Sequence, residues 1–164
     1  MQTKYYCDMA SEIERKFLVK GEYRSKAFRS SDITQGYISS DPSRTVRVRI
    51  EDKNAYLTIK GKSDDSGLER YEWEREIPVQ EAFELIKLCE PGLIIKTRYY
   101  IREGKNLFEV DEFKGDNRGL VIAEIELISI DQVIELPGWI GAEVTGDPRY
   151  YNSYLAGNPY CGWR

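Results

Sequence analysis

Six stretches of this chain share a property that few folds can accommodate. In "TVRVRI" Arg47 and Arg49 alternate with Val46 and Val48, and in "YLTIKGK" Lys60 and Lys62 oppose Leu57 and Ile59. In "RYEWEREI" Glu72, Glu74 and Glu76 oppose Tyr71, Trp73 and Ile77, and in "IIKTRYYI" Lys96 and Arg98 oppose Ile95, Tyr99 and Ile101. "LFEVDEF" sets Glu109 and Asp111 against Phe108 and Val110, and "IAEIELI" sets Glu124 and Glu126 against Ile125 and Leu127. Alternation at period two is the geometry of a β-strand. On each strand the charged face carries mostly one sign. Like charges side by side on a sheet repel by about 0.2–1 kcal/mol per pair, and ordinary wet faces mix their signs. A fold that keeps these faces must turn them toward one another or toward a charged ligand.

A sheet closed on itself meets that demand. Eight strands are expected, at Glu12–Lys20, Thr34–Ser39, Thr45–Glu51, Ala55–Lys62, Leu68–Pro78, Ile94–Glu103, Leu107–Lys114 and Gly119–Ile128. Short polar turns such as "DPS", "EDKN", "SDDSG", "EGKN" and "GDNRG" separate them and favour antiparallel hairpins, because parallel pairs need long crossovers. About eight antiparallel strands suffice for a barrel without free edges. The expected class is therefore mainly β (α+β), an eight-stranded antiparallel closed barrel with a few helices packed on the outside. The helical candidates are "GEYRSKAF" from Gly21, "VQEAFELIKLCEPG" from Val79, "DQVIELP" from Asp131 and a short one in the tail after "GDPRYYNSYLAG". The apolar faces then lie outside under these helices and the charged faces line a wet bore, the inverse of the usual barrel.

With 164 residues, 41% hydrophobic and 32% charged, the chain is expected to be one soluble domain over residues 1–164, with its core at about 11–157. The net charge of −4 argues against a general nucleic-acid binder. No apolar run reaches the roughly 20 residues of a membrane span. The N-terminus "MQTKYYCDMASE" has no apolar segment of a signal peptide, and Cys7, Cys89 and Cys161 form no CxxC pair, so a cytoplasmic protein without a disulfide framework is expected. Outward aromatics such as Trp73, Tyr99 and Tyr100 leave room for a homodimer.

The chain has no histidine. Ser-His-Asp and Cys-His nucleophiles are thereby excluded, as is any His-ligated metal. The stretch "EIERKFLV" adds Glu12, Glu14 and Lys16 to the inward set. Clustered carboxylates without His or Cys suit hard, oxygen-seeking cations, Mg²⁺ or Mn²⁺. Arg and Lys rings suit phosphate oxygens. A triphosphate calls for both, with bases on its oxygens and a cation bridging it to the carboxylates.

These motifs together resemble the CYTH superfamily, the triphosphate tunnel metalloenzymes. The "ExExK" comb of "EIERKFLV" is followed in order by "QGYIS", "RTVRVRI", "LTIKGK", "RYEWEREIP", "IIKTRYYI", "FEVDEF", "AEIEL" and "VTGDPRYYNSYLA". The resemblance implies an eight-stranded tunnel barrel and metal-dependent hydrolysis of a triphosphate, foremost inorganic tripolyphosphate to pyrophosphate and phosphate. Relatives include class IV adenylate cyclases and thiamine triphosphatases; a non-catalytic polyphosphate-binding module is the third reading. Carried over residue by residue, Glu12, Glu14, Asp111, Glu124 and Glu126 are expected to hold metal. Lys16, Arg47, Arg49, Lys60, Lys96, Arg98 and Arg149 are expected to bind phosphate, with Lys16, Lys96 and Glu74 in catalysis. Glu72 or Glu76 is expected on the tunnel floor with Glu74, and Tyr37 near the mouth.

Overall fold

The structure, a computed structural model, describes residues 11–163. Cys7 lies outside the described residues, while Cys89 and Cys161 carry free thiols. Nine strands and two α-helices follow in the order β1 (Ser11–Val19), β2 (Ala27–Ser39), β3 (Arg44–Glu51), β4 (Asn54–Gly61), β5 (Glu69–Ile77), α1 (Val79–Ile86), β6 (Ile94–Glu103), β7 (Asn106–Phe113), β8 (Val121–Glu126), β9 (Ile140–Glu143) and α2 (Asn152–Gly157). Every strand pairing is antiparallel, in the order β5-β4-β3-β2-β6-β7-β8-β1-β9, and a further pairing of β5 with β1 closes the first eight strands into a barrel. Tight turns make the hairpins. Asp52 occupies the left-handed region at φ 52° between β3 and β4, and Gly104 does so at φ 59° between β6 and β7.

Strand β1 is the seam. On one edge it pairs with β8 from Glu14 to Leu18. Its other edge is shared: Ser11–Ile13 pair with β5, and Phe17 and Val19 pair with β9.

Much of the apolar outer face is covered, in two ways, while Ile59, Tyr71 and Ile95 stay exposed. Val48 and Ala55, with Ile50 and Leu57 beside them, pack under Ala82, Leu85 and Ile86 of α1. Gly36 of β2 makes room for the chain leaving this helix, because a Cβ there would sit 2.8 Å from Cys89 Sγ and 2.9 Å from Leu93 Cδ2. Around β1, β6, β7 and β8, Phe17, Ile101, Phe108, Val110, Ala123 and Ile125 are covered by Tyr23, Trp139 and Ile140. That cover is loop and edge strand. The Gly21 segment forms only one 3₁₀ turn, Arg24–Lys26, before β2 begins at Ala27. The Asp131 segment forms no helix: seven residues ending at Pro137 are too short to nucleate one without packing, and Ile128 and Val133 stay over 90% exposed. The expected helices at Val79 and in the tail are α1 and α2.

A third apolar cluster sits inside one end of the barrel. Leu155 of α2 inserts among Tyr37, Ile94, Phe113, Leu120 and Ile122, and Leu18 packs against them. The C-terminal helix thus plugs that end. Of the aromatics expected outside, Tyr99 packs edge-on against Tyr23 with centroids 5.6 Å apart, and Trp73 carries the Arg75 guanidinium 5.2 Å from its ring. Tyr100 points the other way, its hydroxyl donating to Glu51, because neighbouring strand residues face opposite sides. Among the described residues no helix is long and apolar enough to cross a membrane.

Candidate active site

The barrel encloses a cavity of about 650 Å³ lined mainly by ionic side chains, with Leu107, Leu127 and Ile128 among the uncharged ones. It is lined by Glu12, Glu14 and Lys16 of β1, Arg47 and Arg49 of β3, Lys60 of β4, Glu72 and Glu74 of β5, Lys96 and Arg98 of β6, Glu109 of β7, and Glu124 and Glu126 of β8. The period-two alternation dictates this: with the apolar residues packed outside, the intervening charges have only the bore to face.

The β3–β5 wall is mainly cationic. Arg47 Nη2 donates to Thr58 Oγ1 at 3.1 Å and to Glu74 Oε2 at 3.2 Å, and Arg49 Nη2 lies 3.4 Å from Glu74 Oε1. Thr58 Oγ1 donates to Glu74 Oε2 at 2.6 Å. Burial works against the Glu74 charge, but Thr58, Arg49 and Arg47 outweigh it and hold the carboxyl below its ordinary range. Burial and the neighbouring Arg47 pull Arg49 down, so positive charge is in excess here. Among the described residues, the buried Nε–H groups of Arg47 and Arg49 have no hydrogen-bond partner. Buried donors ordinarily find one, and two guanidiniums with spare donors suit an anion.

Opposite stands a carboxylate group. Glu14 of β1 lies directly across from Glu126 of β8, a like-charged pair. Burial raises the Glu126 pKa, and Glu12, Glu72 and Glu14 raise it further. Lys60 Nζ bridges Glu12 Oε2 and Glu72 Oε2, each at 2.6 Å, and Arg70 Nε lies 3.4 Å from Glu12 Oε2. Lys16 Nζ lies 2.9 Å from Glu14 Oε1 and also pairs with Glu124. Burial opposes the Lys16 charge, yet Glu124 and Glu14 hold its pKa above the ordinary value. The donors are all carboxylate oxygens, which fits a hard divalent cation. Lys60 pairs Glu12 with Glu72 and Lys16 pairs Glu14 with Glu124, and no three carboxylates among the described residues converge on one point in this side-chain arrangement.

A third group ties the wall to Asp111 behind it. Arg98 Nε donates to Asp111 Oδ1 at 2.7 Å and Arg98 Nη2 to Asp111 Oδ2 at 2.8 Å, a bidentate pair, while Arg98 Nη1 reaches Glu109. Lys96 Nζ donates to Asp111 Oδ2 at 2.5 Å and to Asn152 Oδ1 at 3.0 Å. Burial pulls Lys96 down to about 8 despite Asp111.

Most of the expected site residues meet in this one cavity, and three groups do not. Asp111, expected on the metal, is fully buried with both oxygens on Arg98 and Lys96, and it does not line the cavity. Arg149, expected on phosphate, is exposed and pairs with Asp147 at 2.6 Å outside the cavity, because its 3₁₀ turn Pro148–Tyr150 aims it at its own cap. Lys62 and Glu76 are exposed and also lie off the cavity; Lys62 falls beyond the end of β4, and Glu76 sits near the end of β5. Tyr37 does line it, its hydroxyl accepting from Gln35 Nε2 at 3.1 Å. Arg70, Thr45 and the run Tyr151–Ser153 line it too and were not expected. The parity of Arg70 with Glu72 and Glu74 carries that signal; nothing local marks Asn152.

The CYTH domain model matches residues 10–151. An inorganic triphosphatase of Acetivibrio thermocellus is 50% identical over 157 residues, which cover 95% of this chain and 99% of that protein. An inorganic triphosphatase of Nitrosomonas europaea is 35% identical over 152 residues, covering 89% and 97%. Among solved structures, that of the inorganic triphosphatase NE1496 superposes with a TM-score of 0.64 at 34% identity, covering 88% of this chain and 93% of that one. An ion-lined barrel and relatives that match almost end to end lead to one placement: the chain belongs to the CYTH domain family.

Proposed function

We propose that this protein hydrolyses inorganic triphosphate to pyrophosphate and phosphate inside the barrel, with Mg²⁺ or Mn²⁺ as its cation. The observation that carries the reading is the divided wall. Arg47 and Arg49, with buried donors to spare among the described residues, face a carboxylate group built on Glu12, Glu14 and Glu126. The curated relatives named inorganic triphosphatase support the same substrate.

Glu12, Glu14, Glu72 and Glu126 are the residues that would hold the cation. When bound, it would offset carboxylate–phosphate repulsion and polarise the phosphoryl oxygens. Arg47, Arg49, Lys60, Arg70 and Lys16 bind and orient the chain of phosphates. Lys96 and Arg98 meet the charge that develops on the leaving and transferred oxygens. Glu74 stays ionised and aligns the two guanidiniums, so its part is orientation and not proton removal. Asp111 holds Lys96 and Arg98 in place from behind. A loose transition state asks for positioning and charge, which this histidine-free site supplies. The scattered cysteines support a reducing, cytoplasmic setting.

The test is phosphate release from tripolyphosphate with Mg²⁺ or Mn²⁺, alongside ATP and thiamine triphosphate. Tripolyphosphate is expected to be cleaved fastest, and Arg49→Ala to lower kcat/KM by about 100-fold or more, the scale of one lost charge-stabilising donor. No release from tripolyphosphate with either cation would overturn the assignment; cyclic AMP as the main product from ATP would replace it with a cyclase.

A further inference from the structure

Lys96 is held from two sides, and the two sides differ in kind. Its side chain runs past Phe113, with Nζ 5.4 Å from the ring centroid, and is 2% exposed. On one side Nζ donates to Asp111 Oδ2 of β7 at 2.5 Å; on the other it donates to Asn152 Oδ1 of α2 at 3.0 Å. Asp111 does not line the cavity, whereas Lys96 and Asn152 do. A lysine ammonium is a compact charge on a flexible stem. With Asp111 alone it is drawn to the back of the wall; the Asn152 oxygen draws it forward. An ammonium only donates, so the amide must turn its oxygen to Nζ, and the orientation of Asn152 is thereby fixed.

The position of Asn152 is itself fixed. Leu155, three residues on, is fully buried in the apolar plug. Gly92, with φ +100°, passes so close beneath α2 that a Cβ there would lie 1.8 Å from the Ala156 carbonyl oxygen. A side chain so anchored can set the place of another.

Resting on the triphosphatase reading, we propose that Asn152 is a positioning residue for catalysis: through its side-chain oxygen it holds the Lys96 ammonium toward the substrate phosphates, so that α2 takes part in the active site beyond stoppering the barrel. Asn152 thus acts through Lys96, and its removal is felt only where Lys96 is present.

The experiment is a double-mutant cycle on the full chain, read both as kcat/KM for tripolyphosphate and as tripolyphosphate affinity by calorimetry in EDTA, which needs no turnover. Asn152→Ala is expected to lower kcat/KM by about 10-fold in the parent, the scale of one hydrogen bond to a charged group, and by less than about twofold in the Lys96→Ala background. Asn152→Leu, of similar volume but without an acceptor, is expected to match Asn152→Ala and is read in its place if the alanine variant does not fold. Equal losses in both backgrounds, or no loss in the parent, overturn the proposal. Coupling in the affinities with no hydrolysis by the parent keeps the positioning role and overturns the triphosphatase reading instead.

Discussion

Asp111→Ala separates a structural role from a metal-binding one. The side chain is fully buried and takes three short charge-assisted hydrogen bonds, at 2.5 Å from Lys96 and at 2.7 and 2.8 Å from Arg98. Its removal takes from Lys96 the one carboxylate it contacts among the described residues and strips Arg98 of its bidentate partner, while Glu109 and Glu124 still hold the guanidinium. Breaking a buried pair from one side costs about 3–5 kcal/mol, mostly through the charge left behind. For a domain of this size each kcal/mol moves Tm by about 2–4 °C, so the expected drop is about 6–20 °C. The assay is a thermal melt of metal-free protein at neutral pH, followed by circular dichroism. Asp111→Asn keeps one acceptor and is expected to fall in between. If Asp111→Ala melts within about 2 °C of the parent but requires much more Mg²⁺ for activity, the ion-pair reasoning is refuted and the carboxylate belongs with the metal.

Other expectations follow from single observations. Burial pulls Lys96 down to about 8, so it loses its charge as pH rises through that value; kcat/KM is expected to fall along an alkaline limb near pH 8 that Lys96→Arg moves upward. A depressed lysine binds its proton more weakly folded than unfolded, so this group's contribution to stability rises between pH 8 and its ordinary value of about 10.4, and melts over the range distinguish lost binding from lost fold. EDTA is expected to abolish phosphate release and added Mg²⁺ or Mn²⁺ to restore it, with Glu126→Gln raising the cation concentration for half-maximal rate; full activity in EDTA would remove the metal from the reaction. Gly92→Ala, whose new Cβ would lie 1.8 Å from the Ala156 carbonyl oxygen, is expected to displace α2, lower Tm and reduce kcat/KM together; unchanged values would show that the helix seat is loose.

Much of the bore was legible because one rule governs it. Wherever a strand alternates cleanly, as in β3 or β7, the burial of Val48 or Phe108 outside fixes Arg49 or Glu109 inside. The rule fails where both faces are polar. The first half of β2 reads Arg29, Ser30, Ser31, Asp32, with Ser31 buried and the others exposed, so no hydrophobic alternation announces it. Strand β9 has four residues and exists because β1 offers it an edge, a tertiary cause. Parity puts Asp111 on the inward face but carries no depth, and depth divides a ligand-facing carboxylate from a counterion behind the wall. Asn152 reaches Lys96 across 56 positions of sequence, a distance over which no local pattern reports.

The shared edge of β1 also bears on how the molecule comes into being. Strand β1 finds its partners in β5, β8 and β9, and β9 ends at Glu143. A nascent chain leaving the ribosome would carry β1 half unpaired until β8 and β9 had been synthesised. The β2–β3–β4–β5 meander can assemble early from neighbouring hairpins, but ring closure must wait for long-range contacts, which slows folding toward the millisecond-to-second regime typical of such topologies.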